Sequence, residues 1–200
     1  MESDFLSRHD KIVQSVKSSG RCLGQCWAEW QYYIEFIAGY FSLRGVGNPV
    51  VVEIGTMDNA QSLFYGLLGA DHIGIDINHN RRAPATIIAD SRAPDTLDKL
   101  KVRLAGRPID LLFLDGNHTY DYVRYEFETY GPLVLHIIAF HDLFCTNAEG
   151  VEVHRFWREL CEAGSGRMFM TFHKHRLEDR TGVWDGHEMG IGLILKGGTP

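Results

Sequence analysis

The sequence predicts an α/β fold: a doubly wound, mostly parallel sheet of seven strands, with an antiparallel edge strand and a helical extension at the N-terminus. Three observations predict it. From residue 50 onward, short apolar runs alternate with helix-like segments, which is the rhythm of βαβ units. Several of these runs end in an acidic or glycine-containing turn, as strands do at the carboxyl edge of a parallel sheet. The last two runs, Met168 to Phe172 and Gly190 to Leu195, are separated by the polar stretch His173 to Glu188 and read as a hairpin-like pair at the sheet edge.

Taken in order, Asp4 to about Leu43 carries Trp27, Trp30, Tyr33, Ile34, Phe36 and Ile37 at mixed helical spacing until Gly45-Val46-Gly47-Asn48-Pro49 breaks the pattern. We therefore divide the chain into a helical extension or cap, 1–48, and a sheet domain, 49–200. Strands are expected at Val50 to Ile54, His72 to Asp76, Thr86 to Ala89, Ile109 to Leu114 and Leu133 to Phe140. Helices are expected at Gln61 to Leu68, Pro94 to Leu104, Tyr120 to Tyr130 and Val151 to Cys161, the last with Phe156, Trp157 and Leu160 as its apolar stripe. The aromatic groups of the extension, Trp27, Trp30, Tyr32, Tyr33, Phe36, Tyr40 and Phe41, are expected to pack as core or as a dimer contact, which leaves a homo-oligomer open; a wall over a substrate is the other reading.

A chain of 200 residues that is 44% hydrophobic can bury a sizeable core. Its formal charge of −6 argues against electrostatic binding to nucleic acid and fits a small-molecule partner better. No apolar run approaches the roughly 18 to 20 residues that span a bilayer, and Met1-Glu2-Ser3-Asp4 lacks the basic flank of a secretion signal, so we expect a soluble, cytoplasmic protein with no membrane partner. Cys22, Cys26, Cys145 and Cys161 do not fall at zinc-site spacing and are read as structural thiols.

The chemistry concentrates at strand ends. Val50 to Ile54 runs into Gly55-Thr56, where backbone amides near a helix start can face a polar or anionic ligand. A dinucleotide fingerprint would need G-x-G-x-x-G, but Met57, Asp58, Asn59 and Ala60 follow Gly55. The next strand ends in Asp76, a carboxylate about 20 residues further on, where it can accept from ribose hydroxyls. The third ends in Asp90-Ser91. Ile109 to Leu114 delivers Asp115-Gly116-Asn117-His118, and the strand from Leu133 ends in His141-Asp142. Glu53, Asp76, Asp90, Asp115 and Asp142 would then line one edge, a charge concentration that asks for a cationic ligand or a metal. Two polar segments remain: His187 or Glu188, within Trp184-Asp185-Gly186-His187-Glu188, could reach a substrate, and Arg81 and Arg82 could neutralise acids or bind an acidic group.

The segments Val52-Glu53-Ile54-Gly55-Thr56, Gly74-Ile75-Asp76, Phe113 to Tyr120, Tyr130-Gly131-Pro132-Leu133 and Ile138 to Asp142 resemble the class I S-adenosylmethionine-dependent methyltransferases. Within them they are similar to the branch of macrocin-type sugar O-methyltransferases and cephalosporin-hydroxylase-like proteins. The resemblance spans roughly Val50 to Trp157. It implies a Rossmann-like fold and S-adenosylmethionine as cofactor. Glu53, Gly55 and Thr56 would meet its methionine portion, Asp76 its ribose, and Asp90 with Ser91 its adenine edge. Asp115 and Asp142, with His141 as a third, would hold a divalent metal, magnesium or manganese. His118 would be the base that takes the proton from a hydroxyl acceptor on a sugar or small natural product. Two alternatives stay open. One is a metal-dependent hydroxylase with iron on His118, His141 and Asp115 or Asp142. The other is a methyltransferase-like binding module without catalysis, motivated by the altered glycine turn.

Overall fold

The computed structural model describes residues 2–78, 84–146, 148–164, 167–173 and 188–197. Arg81, Arg82 and the segment 174–187, with His187, lie outside the described residues. Two helices, α1 (Glu2–Ser19) and α2 (Trp27–Arg44), precede the sheet. Strands β1 (Val50–Ile54), β2 (Asp71–Asp76), β3 (Ile87–Ile88), β4 (Ile109–Leu114) and β5 (Val134–Phe140) alternate with helices α3 (Gln61–Tyr65), α4 (Thr96–Leu104) and α5 (Tyr120–Tyr130). Helix α6 (Val153–Glu162) and strands β6 (Met168–Phe172) and β7 (Ile191–Leu195) complete the chain.

The seven strands stand in the order β3-β2-β1-β4-β5-β7-β6. The first five pair in parallel, whereas β7 runs antiparallel to both β5 and β6. The antiparallel strand is thus the penultimate one, inserted between β5 and the edge strand β6. The doubly wound α/β sheet is as the sequence predicts.

Period-two alternation sorts each strand between two cores. Val50, Val52 and Ile54 of β1 and Leu112 and Leu114 of β4 face α4, α5 and α6 and join Leu100, Leu104, Val123, Tyr130 and Phe156. Val51, Leu111 and Phe113 point the other way and join the helices of the N-terminal segment. There α2 contributes Trp30, Tyr33, Ile34, Ile37 and Phe41, spaced three, one, three and four apart along one helical stripe. The aromatic groups of this segment pack as core, with only Tyr32 well exposed at 60%. No helix among the described residues is long and apolar enough to cross a membrane.

Candidate active site

Five strand ends reach the same edge, and the sheet ladder continues one residue past β1, β3, β4 and β5. Gly55 N–H donates to Ile75 O at 2.8 Å, Ala89 N–H to Asp76 O at 2.9 Å, Asp115 N–H to Ile54 O at 2.9 Å, and His141 N–H to Leu114 O at 3.1 Å. Each turn is therefore fixed against its neighbour before any side chain acts. Above them opens a cavity of about 380 Å³, within the range of small-ligand sites. Its lining includes Gly55, Asp76, Asp90, Ser91, Asp115, His118, His141 and Asp142, so most of the expected site residues meet in one place.

Two do not. Glu53 is fully buried on the opposite parity of β1, where its Oε2 lies 2.7 Å from His72 Nε2. Burial pushes its pKa up, against the lowering effect of His72. Thr56 is buried as well, and its backbone N–H donates to Asp76 Oδ2 at 2.8 Å. Glu53 and Thr56 thus support the turn from beneath and do not line the cavity; the alternation Val52-Glu53-Ile54 already sends Glu53 to the α2 face. Gly55 itself is required by the backbone: its φ is +87°, and a Cβ would come within 2.1 Å of Asp115 O. Asp76 lies in the cavity wall but is largely engaged, accepting from the amides of Thr56 and Met57 through Oδ2 and of Asn78 through Oδ1. Glu188, 3.2 Å from His173, does not line the cavity.

At one end of the cavity two imidazoles and two carboxylates interlock. His118 Nε2 lies 3.3 Å from Asp115 Oδ1 and 3.4 Å from Asp142 Oδ2. His141 Nδ1 lies 2.8 Å from Asp115 Oδ1 and 3.4 Å from Asp142 Oδ1. Burial opposes charge on Asp115, His118 and His141, yet mutual attraction wins: Asp115 is held below the ordinary carboxylate range, His118 is raised, and His141 is pushed up to about 9. His141 Nε2 is buried without a hydrogen-bond partner among the described residues. Asp142 adopts a left-handed φ of 57°, which is uncommon for a non-glycine residue and recurs at functional sites.

Facing two carboxylates, His118 Nε2 is placed to donate, so that in the neutral ring Nδ1 is the basic atom. The ligand atoms of Asp115, His118 and His141 lie within 4.8 Å of one another, close enough to share one ion, and Asp142 is not part of that trio. The sequence expectation placed Asp142 among the ligands and His118 outside them. One carboxylate and two imidazoles suit manganese, iron or zinc better than magnesium.

The backbone that carries His118 is pinned from both sides. Asn117 Oδ1 accepts from the Thr119 amide at 3.0 Å, Glu152 N–H donates to His118 O at 2.8 Å, and Glu152 Oε2 accepts from the Tyr120 amide that opens α5.

Sequence reasoning missed contributors from three places: α5 at Glu126, the segment Leu23 to Gln25, and α5 again at Tyr122. Glu126 of α5 lines the cavity, 1% exposed, with Oε1 accepting from Ser91 Oγ at 2.6 Å and Oε2 unpartnered among the described residues. Burial raises its pKa to about 7. Its position in the stripe Val123, Glu126, Tyr130 marks an acid at a core spacing, a signal that could have found it. Leu23 and Gly24, between α1 and α2, form another wall, and Gln25 beside them donates from Nε2 to Asp115 Oδ2 at 2.7 Å. No sequence pattern links positions 25 and 115. Tyr122 is the third, donating to Asp90 Oδ2 at 3.3 Å.

No protein-family model matches the sequence, and no curated protein does. Solved structures do. The O-methyltransferase TomG from Streptomyces achromogenes, involved in tomaymycin synthesis and bound to S-adenosylmethionine, superposes with a TM-score of 0.60 at 16% identity over 94% of this chain and 88% of that one. A putative caffeoyl-CoA O-methyltransferase from Staphylococcus aureus gives 0.59 at 14% identity over 94% and 92%. MycE, the mycinamycin-pathway methyltransferase bound to magnesium, S-adenosylhomocysteine (SAH) and mycinamycin VI, gives 0.52 at 15% identity over 83% of this chain, which spans 51% of MycE. The chain has the fold that these methyltransferases share.

Proposed function

We propose that this protein is an S-adenosylmethionine-dependent O-methyltransferase acting, with a divalent metal, on a hydroxyl of a small molecule such as a sugar or natural product. The observation that carries the reading is one cavity into which five adjacent parallel strands deliver Gly55, Asp76, Asp90-Ser91, Asp115-His118 and His141-Asp142.

The lining fits the cofactor in charge and shape. Five carboxylates and two imidazoles face the cavity, with no lysine or arginine among the described lining residues, an environment suited to a sulfonium and an ammonium group. Ile75, Ile77 and Ala89 add an apolar strip between the acids. Asp76 would hold the ribose and Asp90 with Ser91 the base, as expected from the sequence. The donor set Asp115, His118 and His141 fits a divalent ion, since each residue offers one ligand atom within 4.8 Å of the others, with Asp142 close behind. When bound, the cofactor supplies an electrophilic methyl group and the ion a positive charge that lowers the pKa of an acceptor hydroxyl.

The chain's own residues do the rest. The strand-end turns hold Asp76 and His118 on one rigid sheet edge, and a fixed placement of cofactor and acceptor groups is what methyl transfer requires. His118 takes the acceptor proton at Nδ1 if Nε2 stays turned to the carboxylates, and His141 holds Asp115 ionised. In this reading the protein works in the cytoplasm.

The test is release of SAH from S-adenosylmethionine with a panel of sugars and vicinal diols, with Mn²⁺ and with EDTA. Metal-dependent release with some acceptor is expected; none across the panel would count against the reading. The trio of two imidazoles and one carboxylate supports a second reading, an iron-dependent hydroxylase. Oxygen consumption with Fe²⁺ and a cosubstrate, in place of methyl transfer, would favour it.

A further inference from the structure

The segment between α1 and α2 is tied to the cavity at three points. The Cys22 amide donates to Asp58 Oδ2 at 2.9 Å, Gln61 Nε2 donates to Leu23 O at 2.8 Å, and Gln25 Nε2 donates to Asp115 Oδ2 at 2.7 Å. Asp58 lies on the turn and Gln61 on the helix that follow β1, so the altered glycine turn has a structural use here at Asp58: with Gln61 it holds this strap.

Gln25 is 1% exposed and touches neither solvent nor the cavity. A carboxylate only accepts, so the amide must present its NH₂ to Asp115, and the bond takes up Oδ2. The other oxygen, Oδ1, is the one shared by His118 and His141. We propose that Gln25 is a positioning residue for the metal centre: by engaging Asp115 Oδ2 it fixes the rotation of that carboxylate and presents Oδ1 alone to the ion, together with the two imidazoles. The inference rests on the metal reading of the site and adds to it a residue from the N-terminal segment. Outer groups that orient a ligand typically change metal affinity by about ten- to a hundredfold when removed.

The experiment is calorimetric or EPR titration with Mn²⁺ alone on the wild-type chain, Gln25→Met and Gln61→Met. Methionine preserves the volume of glutamine but donates nothing. Gln61→Met breaks a neighbouring anchor of the same strap without touching Asp115, so it reports general loosening. The expected result is Mn²⁺ affinity weakened about tenfold or more in Gln25→Met and within about threefold of wild type in Gln61→Met. Equal affinity in wild type and Gln25→Met, or equal weakening in both variants, overturns the proposal while leaving the metal reading in place. Absence of Mn²⁺ binding to the wild type overturns both. Should Gln25→Met unfold in a thermal scan, Gln25→Ser is read in its place by the same criteria.

Discussion

His118 sits between two carboxylates, and that position decides what it can do. With Nε2 committed to Asp115 and Asp142, its basic atom is Nδ1, and with Nε2 turned to an ion the same ring becomes a ligand. The two roles separate by experiment. For His118→Ala the account expects cofactor affinity within a few-fold of wild type and turnover lower by about 10²–10⁴. Mn²⁺ affinity that survives in the variant assigns the base; affinity that collapses with turnover assigns the ligand. Unchanged turnover would remove His118 from the mechanism. The residues of this cluster were legible in the sequence because Asp115 and His141-Asp142 follow directly on apolar runs and His118 lies in the turn after the first of them. Gln25 was not, since it is brought to Asp115 from 90 positions away by the packing of α2.

At the scale of elements, the parity of a strand and the stripe of a helix carry information in both directions. Parity explains why Glu53 does not line the cavity: alternate residues of β1 serve opposite faces, and of this strand and its turn Ile54 and Gly55 reach the cavity while Glu53 points to the α2 face. The stripe of α5 explains Glu126, an acid placed where the helix buries its apolar side. Its folded pKa, about 7, is above the ordinary carboxylate value because of burial. The folded state therefore holds the proton more tightly than the unfolded chain. This contribution to stability is fully present below the unfolded pKa and is lost as pH rises through about 7. Glu126→Gln, which cannot ionise, should accordingly gain on wild type by about 2–3 kcal/mol between pH 5 and pH 8. Urea unfolding at the two pH values measures it, and equal differences at both would show that Glu126 does not titrate there. The order of strands and helices was readable from the alternation of apolar runs. The insertion of β7 between β5 and β6 was not, because antiparallel pairing of a last hairpin leaves either strand free to take the inner place.

Across the whole molecule, the sheet buries two apolar faces and gathers its acidic groups at one edge. A folded chain tolerates five carboxylates around one cavity only with compensation, which here comes from two imidazoles, backbone amides and the bonds of Gln25, Ser91 and Tyr122. That balance still leaves the cavity acidic and is the physical case for a cationic cofactor and a metal. The N-terminal helices belong to this arrangement through the core around Trp30 and through the strap, so the N-terminal segment is part of how the site is built. The most direct measurement is calorimetric titration of the protein with S-adenosylmethionine, once in EDTA and once in Mn²⁺. The account expects saturable, one-to-one binding in at least the Mn²⁺ arm. No heat of binding in either arm would contradict it and leave the fold without the cofactor that its cavity is proposed to hold.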